Sequence, residues 1–146
     1  MTKNLFAYLL FYCLALISCS NTSCEDWFEG ANCEIQERDK YCGAYWGDLS
    51  SYDHQGNLVS TFFGEITIIR SPLAINELQS SEDMVFVLDQ PKQPSFHIPN
   101  YSYTILVDTV LQTVESVGEG AFNGKTLFFE LNSLDGESNL TFFGSK

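Results

Sequence analysis

The chain has 146 residues, which is a usual length for one domain. Its 7 Lys and Arg residues are outnumbered by 19 Asp and Glu residues, and the formal net charge at pH 7 is −12. So acidic a chain argues against nucleic acid and anionic lipid headgroups as partners, because both are bound through clustered basic side chains.

Residues 1–18 have the pattern of an export signal. Lys3 and the α-amine supply the positive charge, and residues 5–17 contain no charged side chain. This run is shorter than the roughly 20 residues that a membrane-spanning helix needs, and its length is typical of the apolar part of a signal peptide. We therefore expect residues 1–18 to be removed and the remainder to be extracytoplasmic.

A cysteine ends this segment, in the order Leu16-Ile17-Ser18-Cys19. The order resembles the lipobox of bacterial lipoproteins, in which the cysteine thiol receives a diacylglycerol and the chain is cleaved just before it. The resemblance implies lipidation at Cys19 and a protein anchored to a membrane, facing the periplasm or at the cell surface. The alternative is ordinary signal-peptidase cleavage after Ser20, which would remove Cys19 and leave a secreted protein.

Three cysteines follow the lipidation site, and pairing is expected among them in an oxidising compartment. The segment from Cys24 to Cys33 has the spacing C-x5-G-x2-C, which resembles the last disulfide loop of an EGF-like module. The resemblance implies a Cys24–Cys33 disulfide in a stalk of residues 19–40. Calcium is not expected, because the residues with which such a module binds it are missing. Cys42 is left over, and we interpret it as a small packed side chain.

From residue 41 to residue 146, runs of β-branched and aromatic residues alternate with turn signals, as in an all-β domain. Residues 34–40 form a charged connector, either a short helical turn or an extended link, and residues 73–83 are the one stretch of the body that is compatible with a helical turn. A short strand is expected to end before Pro99, and Asn123-Gly124 is expected to form a hairpin turn. The predicted strands are 41–49, 58–70, 84–88, 95–98, 101–107, 111–117, 118–122, 125–131 and 138–144.

Consecutive strands joined by short turns predict an antiparallel meander of about eight strands in residues 41–146. A barrel is favoured because closure removes exposed strand edges, and a two-sheet sandwich is the alternative. The glycine-rich and aromatic segments 43–47, 118–124 and 140–146 resemble those of small exported lipoprotein domains of unknown function with a lipocalin-like β-barrel.

No pattern in the sequence identifies a catalytic site. The chain has no Gly-x-Ser-x-Gly motif and no His-Glu-x-x-His motif, and His54 and His97 are too few for a His-rich metal site. We therefore expect no catalytic residue, no metal and no cofactor.

The leading functional hypothesis is a lipid-anchored binding or structural domain. The alternatives are a lipocalin-like carrier of a small apolar ligand, a secreted protein-binding or inhibitor module, and a hydrolase with an unrecognised carboxylate site. An aromatic-lined cavity of roughly 300 Å³ or more would favour the carrier.

Overall fold

The computed structural model describes residues 24–30, 32–107 and 110–146, so that Cys19 and the export signal lie outside the described residues. Ten strands and one 3-10 helix, Glu37–Tyr41, make up the described part. The strands are β1 (Phe28–Glu29), β2 (Ile35–Gln36), β3 (Gly43–Asp53), β4 (Leu58–Arg70), β5 (Glu77–Ser80), β6 (Val85–Leu88), β7 (Ser95–Val107), β8 (Val110–Asn123), β9 (Thr126–Ser133) and β10 (Ser138–Ser145).

Strands β3 to β10 form a closed antiparallel barrel. Each strand pairs with the next one along the chain, and β10 closes the barrel by pairing with β3 over eight residues. The predicted eight-strand meander barrel is therefore confirmed, and the two-sheet sandwich is ruled out. The two remaining strands, β1 and β2, form a small separate sheet.

Alternating side chains fill the inside of the barrel. On β9, Leu127, Phe129 and Leu131 share the inward face and are completely buried. On β4, Ile68 is buried, whereas Phe62 on the same face is 69% exposed. The first half of β4 therefore extends beyond the part of the barrel that is packed.

The segment predicted as a helical turn, residues 73–83, contains strand β5 instead. Leu78 and Ser80 are buried and alternate with the half-buried Glu77 and Gln79. Leu78 lies opposite Phe86 of β6 in the sheet. A period of two residues places both buried side chains on one face, and pairing with the neighbouring strands outweighs the weak helical preference of this stretch.

Two predicted strand breaks are also wrong, because β7 continues through Pro99 and β8 continues through Gly118. The β7–β8 register shifts between Ile98 and Tyr101, so Pro99 lies at an irregularity in the strand pairing. Proline has no N–H group to donate, and at this irregularity no regular hydrogen bond between the two strands is lost. A Cβ atom at Gly118 would collide with the backbone carbonyl of Glu130, so glycine there allows close approach of β9 rather than a turn.

The 3-10 helix covers the end of the barrel where β3 begins and β4 ends, which we call the closed end. Arg38 is buried there, and its Nη1 atom donates hydrogen bonds to the backbone carbonyls of Ser71, Ala74 and Glu77. Asp39 forms an ion pair with Arg70, with 2.6 Å between Oδ1 and Nε. The charged connector of residues 34–40 is thus fixed to the β4–β5 connection.

Candidate functional site

A difference in strand length opens the side of the barrel. Strands β4 and β7 have 13 residues each, whereas β5 and β6 between them have only four each. Strand β5 pairs with β4 only at Ile68, Ile69 and Arg70, and β6 pairs with β7 only at Phe96 and His97. Across the described residues, 58–66 of β4 and 101–107 of β7 therefore have no strand partner on the sides that face this opening.

A cavity of about 420 Å³ lies behind this opening. Its walls are mostly aliphatic and aromatic, and its volume is within the range of small-molecule sites. Its apolar and aromatic lining comes from five strands and the turn before β6: Leu49, Phe62, Ile66, Met84, Tyr101, Tyr103, Phe129, Leu131, Leu140 and Phe142. The fully buried rings of Phe129 and Phe142 are stacked with centroids 5.4 Å apart, so the packed core continues directly below the cavity.

Polar groups lie at one side of the cavity. Tyr101 and Tyr103 share the inward face of β7, and their rings are 6.0 Å apart at an interplanar angle of 25°. Glu82 reaches the cavity from the β5–β6 turn. Burial raises the pKa of the Tyr101 phenol, and the charges of Glu82 and Asp83 raise it further.

A second cleft, of about 480 Å³, lies at the opposite end of the barrel from the 3-10 helix, which we call the open end. It separates the β3–β4 turn from the β9–β10 turn and includes Asp53, Asn132 and Asn139. Asp53 accepts hydrogen bonds from Asn57, and Asn139 donates one to Asn132, whereas the buried Oδ1 atom of Asn139 has no partner among the described residues. The side cavity has a mostly apolar lining and is therefore the stronger candidate for a ligand site.

The structure contains the Cys24–Cys33 disulfide that the EGF-like resemblance implied. The loop it closes lies against the barrel: Trp27 packs on the core, and its carbonyl accepts a hydrogen bond of 2.8 Å from the N–H of Glu37. Lys40 adds an ion pair with Glu29, at 2.7 Å. The disulfide loop is thus attached to the closed end, away from the cavity opening.

Cys42 is a half-buried free thiol at the closed end. Its Sγ atom lies 3.6 Å from the carbonyl oxygen of Arg38, and burial raises the pKa of the thiol. His54 is in the β3–β4 turn at the open end, and His97 is hydrogen-bonded to Asp89 at 2.8 Å. The structure therefore brings neither histidine to Cys42, and this site lacks the arrangement that activates a cysteine nucleophile.

The two carboxylates that line the cavity, Glu65 and Glu82, are both exposed to solvent. Glu37 is the fully buried carboxylate among the described residues, but it lies at the closed end and accepts a hydrogen bond from Lys40. In the described part of the chain, no three His, Cys, Asp or Glu side chains lie close enough together to hold a metal ion. Within the same ranges, no helix combines the length and apolar composition that crossing a membrane requires.

Four exposed aromatic residues form a patch on the outside of the barrel, across β4, β3, β10 and β9. Phe143 lies directly opposite Phe128 in the sheet, and Trp46 stacks on Phe63 with centroids 6.4 Å apart. All four rings are between 44% and 63% exposed. Because their strand positions alternate with those of the inner face, this patch is separate from the cavity.

Comparison with known proteins gave no match: no family model, no curated protein and no solved structure is significantly similar to this chain.

Proposed function

We propose that this protein is a lipid-anchored extracytoplasmic binding domain that holds a small apolar ligand in the side cavity of its barrel. The observation that carries the proposal is the cavity of about 420 Å³ with a mostly apolar lining. A ligand that displaces water from apolar surface in such a site is stabilised by about 25 cal/mol for each Å² that it covers. The proposal includes no catalytic step.

The fold supports this proposal by separating anchor and site. The chain enters the barrel at the closed end through the disulfide loop and the 3-10 helix. A lipid on Cys19 would hold that end near the membrane, because only four residues separate Cys19 from Cys24. The cavity opens between the far halves of β4 and β7. In our proposal, residues 19–40 are a truncated EGF-like stalk that keeps this opening accessible.

A neutral dye whose fluorescence rises in apolar surroundings, such as Nile red, tests the ligand site. We expect the mature chain to bind one dye molecule and Leu140→Trp to weaken binding by about tenfold or more, because the indole fills the cavity. Leu49→Trp is a second filling variant from another strand, in case the first one folds poorly. Phe143→Trp, on the outer face of the same strand as Leu140, is the matched control and should bind the dye as the wild type does.

The proposed site is wrong if the folded wild type does not bind the dye. It is also wrong if both filling variants retain native circular dichroism and bind the dye as tightly as Phe143→Trp.

The lipid anchor is tested separately, by measuring the intact mass of the exported protein. We expect added lipid mass on the wild type and none on Cys19→Ala, and an unlipidated wild type would contradict the anchor.

A further inference from the structure

We propose that the ligand is an amphipathic organic cation, with its apolar part in the side cavity and its ammonium group between Glu82 and the Tyr101–Tyr103 pair. This inference rests on the proposed function, because it assigns a ligand chemistry to the same cavity. Three independent features support it: an unpaired carboxylate at the opening, two aromatic rings beside it, and the separation of basic residues from the site.

Two carboxylates line the cavity, and Glu82 is the one available to a ligand, because Glu65 accepts a hydrogen bond of 2.6 Å from Thr67. Ser80 holds the β5–β6 turn, because its Oγ atom accepts hydrogen bonds of 3.1 Å from the N–H groups of both Glu82 and Met84. The next carboxylate, Asp83, accepts a hydrogen bond of 2.9 Å from Gln79. Among the described residues, no hydrogen bond or ion pair involves the Glu82 carboxylate, although it lies at the cavity. A bound ammonium group would supply the missing partner.

The tyrosine pair provides a second attraction for positive charge. Tyr101 and Tyr103 line the same cavity, with their rings roughly parallel and 6.0 Å apart. The face of an aromatic ring attracts a cation within about 6 Å of its centroid. Burial raises the pKa of the Tyr101 phenol, and the charges of Glu82 and Asp83 raise it further, so both carboxylates lie near this ring.

Within the described part of the chain, all Lys and Arg residues lie at the closed end of the barrel. They lie in the 3-10 helix, at the end of β4, in the β6–β7 and β8–β9 turns, and at the last residue: Arg38, Lys40, Arg70, Lys92, Lys125 and Lys146. No Lys or Arg in the described residues reaches the cavity lining. A carboxylate or phosphate headgroup would therefore lose its hydration there without gaining a counter-charge, whereas an ammonium group would be stabilised.

Three probes that share one apolar tail distinguish these headgroups: decyltrimethylammonium, decanol and decanoate. Each is titrated calorimetrically, the two ionic probes below their micelle concentrations and decanol below its solubility limit. We expect the ammonium probe to bind the mature chain about tenfold more tightly than decanol, as a charge pair with adjacent aromatic rings allows. Decanoate should bind more weakly than both. Glu82→Gln should reduce the preference for the ammonium probe by about threefold or more and leave decanol binding unchanged.

Glu137→Gln is the matched control, since Glu137 is an exposed carboxylate in the β9–β10 turn that does not line the cavity. It should leave all three affinities within about twofold of the wild type. The proposal of a cationic ligand is wrong if decanol binds as tightly as the ammonium probe, or if Glu82→Gln does not reduce the preference for the ammonium probe over decanol. Either result would still be consistent with an apolar ligand site. If none of the three probes binds, both the cationic ligand and the cavity function are wrong.

Discussion

Tyr41 stacks on Phe122 with ring centroids 4.4 Å apart and an interplanar angle of 16°. Tyr41 is the last residue of the 3-10 helix, and Phe122 lies on the inner face of β8. Both side chains are at least 95% buried. This contact joins the segment after the disulfide loop to the interior of the barrel, so the closed end is filled and unoccupied space remains at the side opening.

Replacing Arg38 with alanine should strongly destabilise the barrel. The substitution leaves the carbonyls of Ser71, Ala74 and Glu77 without their shared donor. Hydrogen bonds from a charged donor contribute about 1.5–3 kcal/mol each, and part of that loss is recovered by water, so we expect about 3 kcal/mol. Urea denaturation of Arg38→Ala measures the loss. Lys125→Ala, at an exposed position in the β8–β9 turn with no ion pair among the described residues, should cost less than about 1 kcal/mol, and equal losses would contradict this role of Arg38.

Stability should decrease in alkaline solution because of Tyr45. Burial raises the pKa of this phenol to about 12, and its hydroxyl donates a 2.9 Å hydrogen bond to the carbonyl of Tyr41. The unfolded chain loses the proton near pH 10, so the stabilisation is fully present below about pH 10 and is lost as the pH rises towards about 12, by roughly 2 kcal/mol.

Denaturation midpoints measured between about pH 8 and pH 12 test this effect of the phenol. Tyr45→Phe should lose about 1 kcal/mol at neutral pH, because its hydrogen bond is missing, and should show a smaller alkaline decrease. The same alkaline slope in wild type and Tyr45→Phe would show that another group is responsible.

Gly120 is expected to be intolerant of any side chain. A Cβ atom there would overlap the backbone carbonyl of Phe128 and lie 2.6 Å from the Phe96 ring and 2.8 Å from Cβ of Phe129. We expect Gly120→Ala to lower the free energy of unfolding by about 3 kcal/mol or more, because neither strand can move away without disturbing the core.

Gly64→Ala is the matched control for this substitution, measured by thermal denaturation of both variants. Its Cβ atom would lie 2.8 Å from the ring of Phe62, which is 69% exposed and free to move. The control should therefore change the free energy of unfolding by less than about 1 kcal/mol. Similar melting temperatures for the two alanine variants would refute the close β8–β9 approach as the cause.

The thiol of Cys42 should react slowly in the folded protein. Burial raises its pKa, and the nearby charge of Asp39 raises it further, so the thiolate is scarce near neutral pH. We expect alkylation by iodoacetamide to be about tenfold slower in the native protein than in denaturant without reductant, where the thiol is exposed. Among the three cysteines of the described residues, mass spectrometry should find Cys42 modified and Cys24 and Cys33 protected by their disulfide. Rapid native alkylation would contradict a packed Cys42.

The sequence was sufficient to predict the barrel and several of its strands. Alternation in β9 placed Leu127, Phe129 and Leu131 on the inner face, because strand side chains alternate whatever the neighbouring strands are. The turn at Gly124 also followed from local chemistry, since the backbone there has a positive φ of 61°. Strand β5 was missed because Leu78 and Ser80 give too short a pattern, and only pairing with β4 and β6 stabilises that strand.

Composition and local periodicity are enough to predict the acidic charge, the alternating inner face and the all-β class of this chain. The side cavity depends on the fold, because it arises from the mismatch between the 13-residue strands β4 and β7 and the four-residue strands between them. The fold also places Glu82 beside Tyr101 and Tyr103, and it places Arg38 and Lys146 at the closed end. These positions depend on strand pairing between residues far apart in sequence, which a local sequence pattern cannot predict.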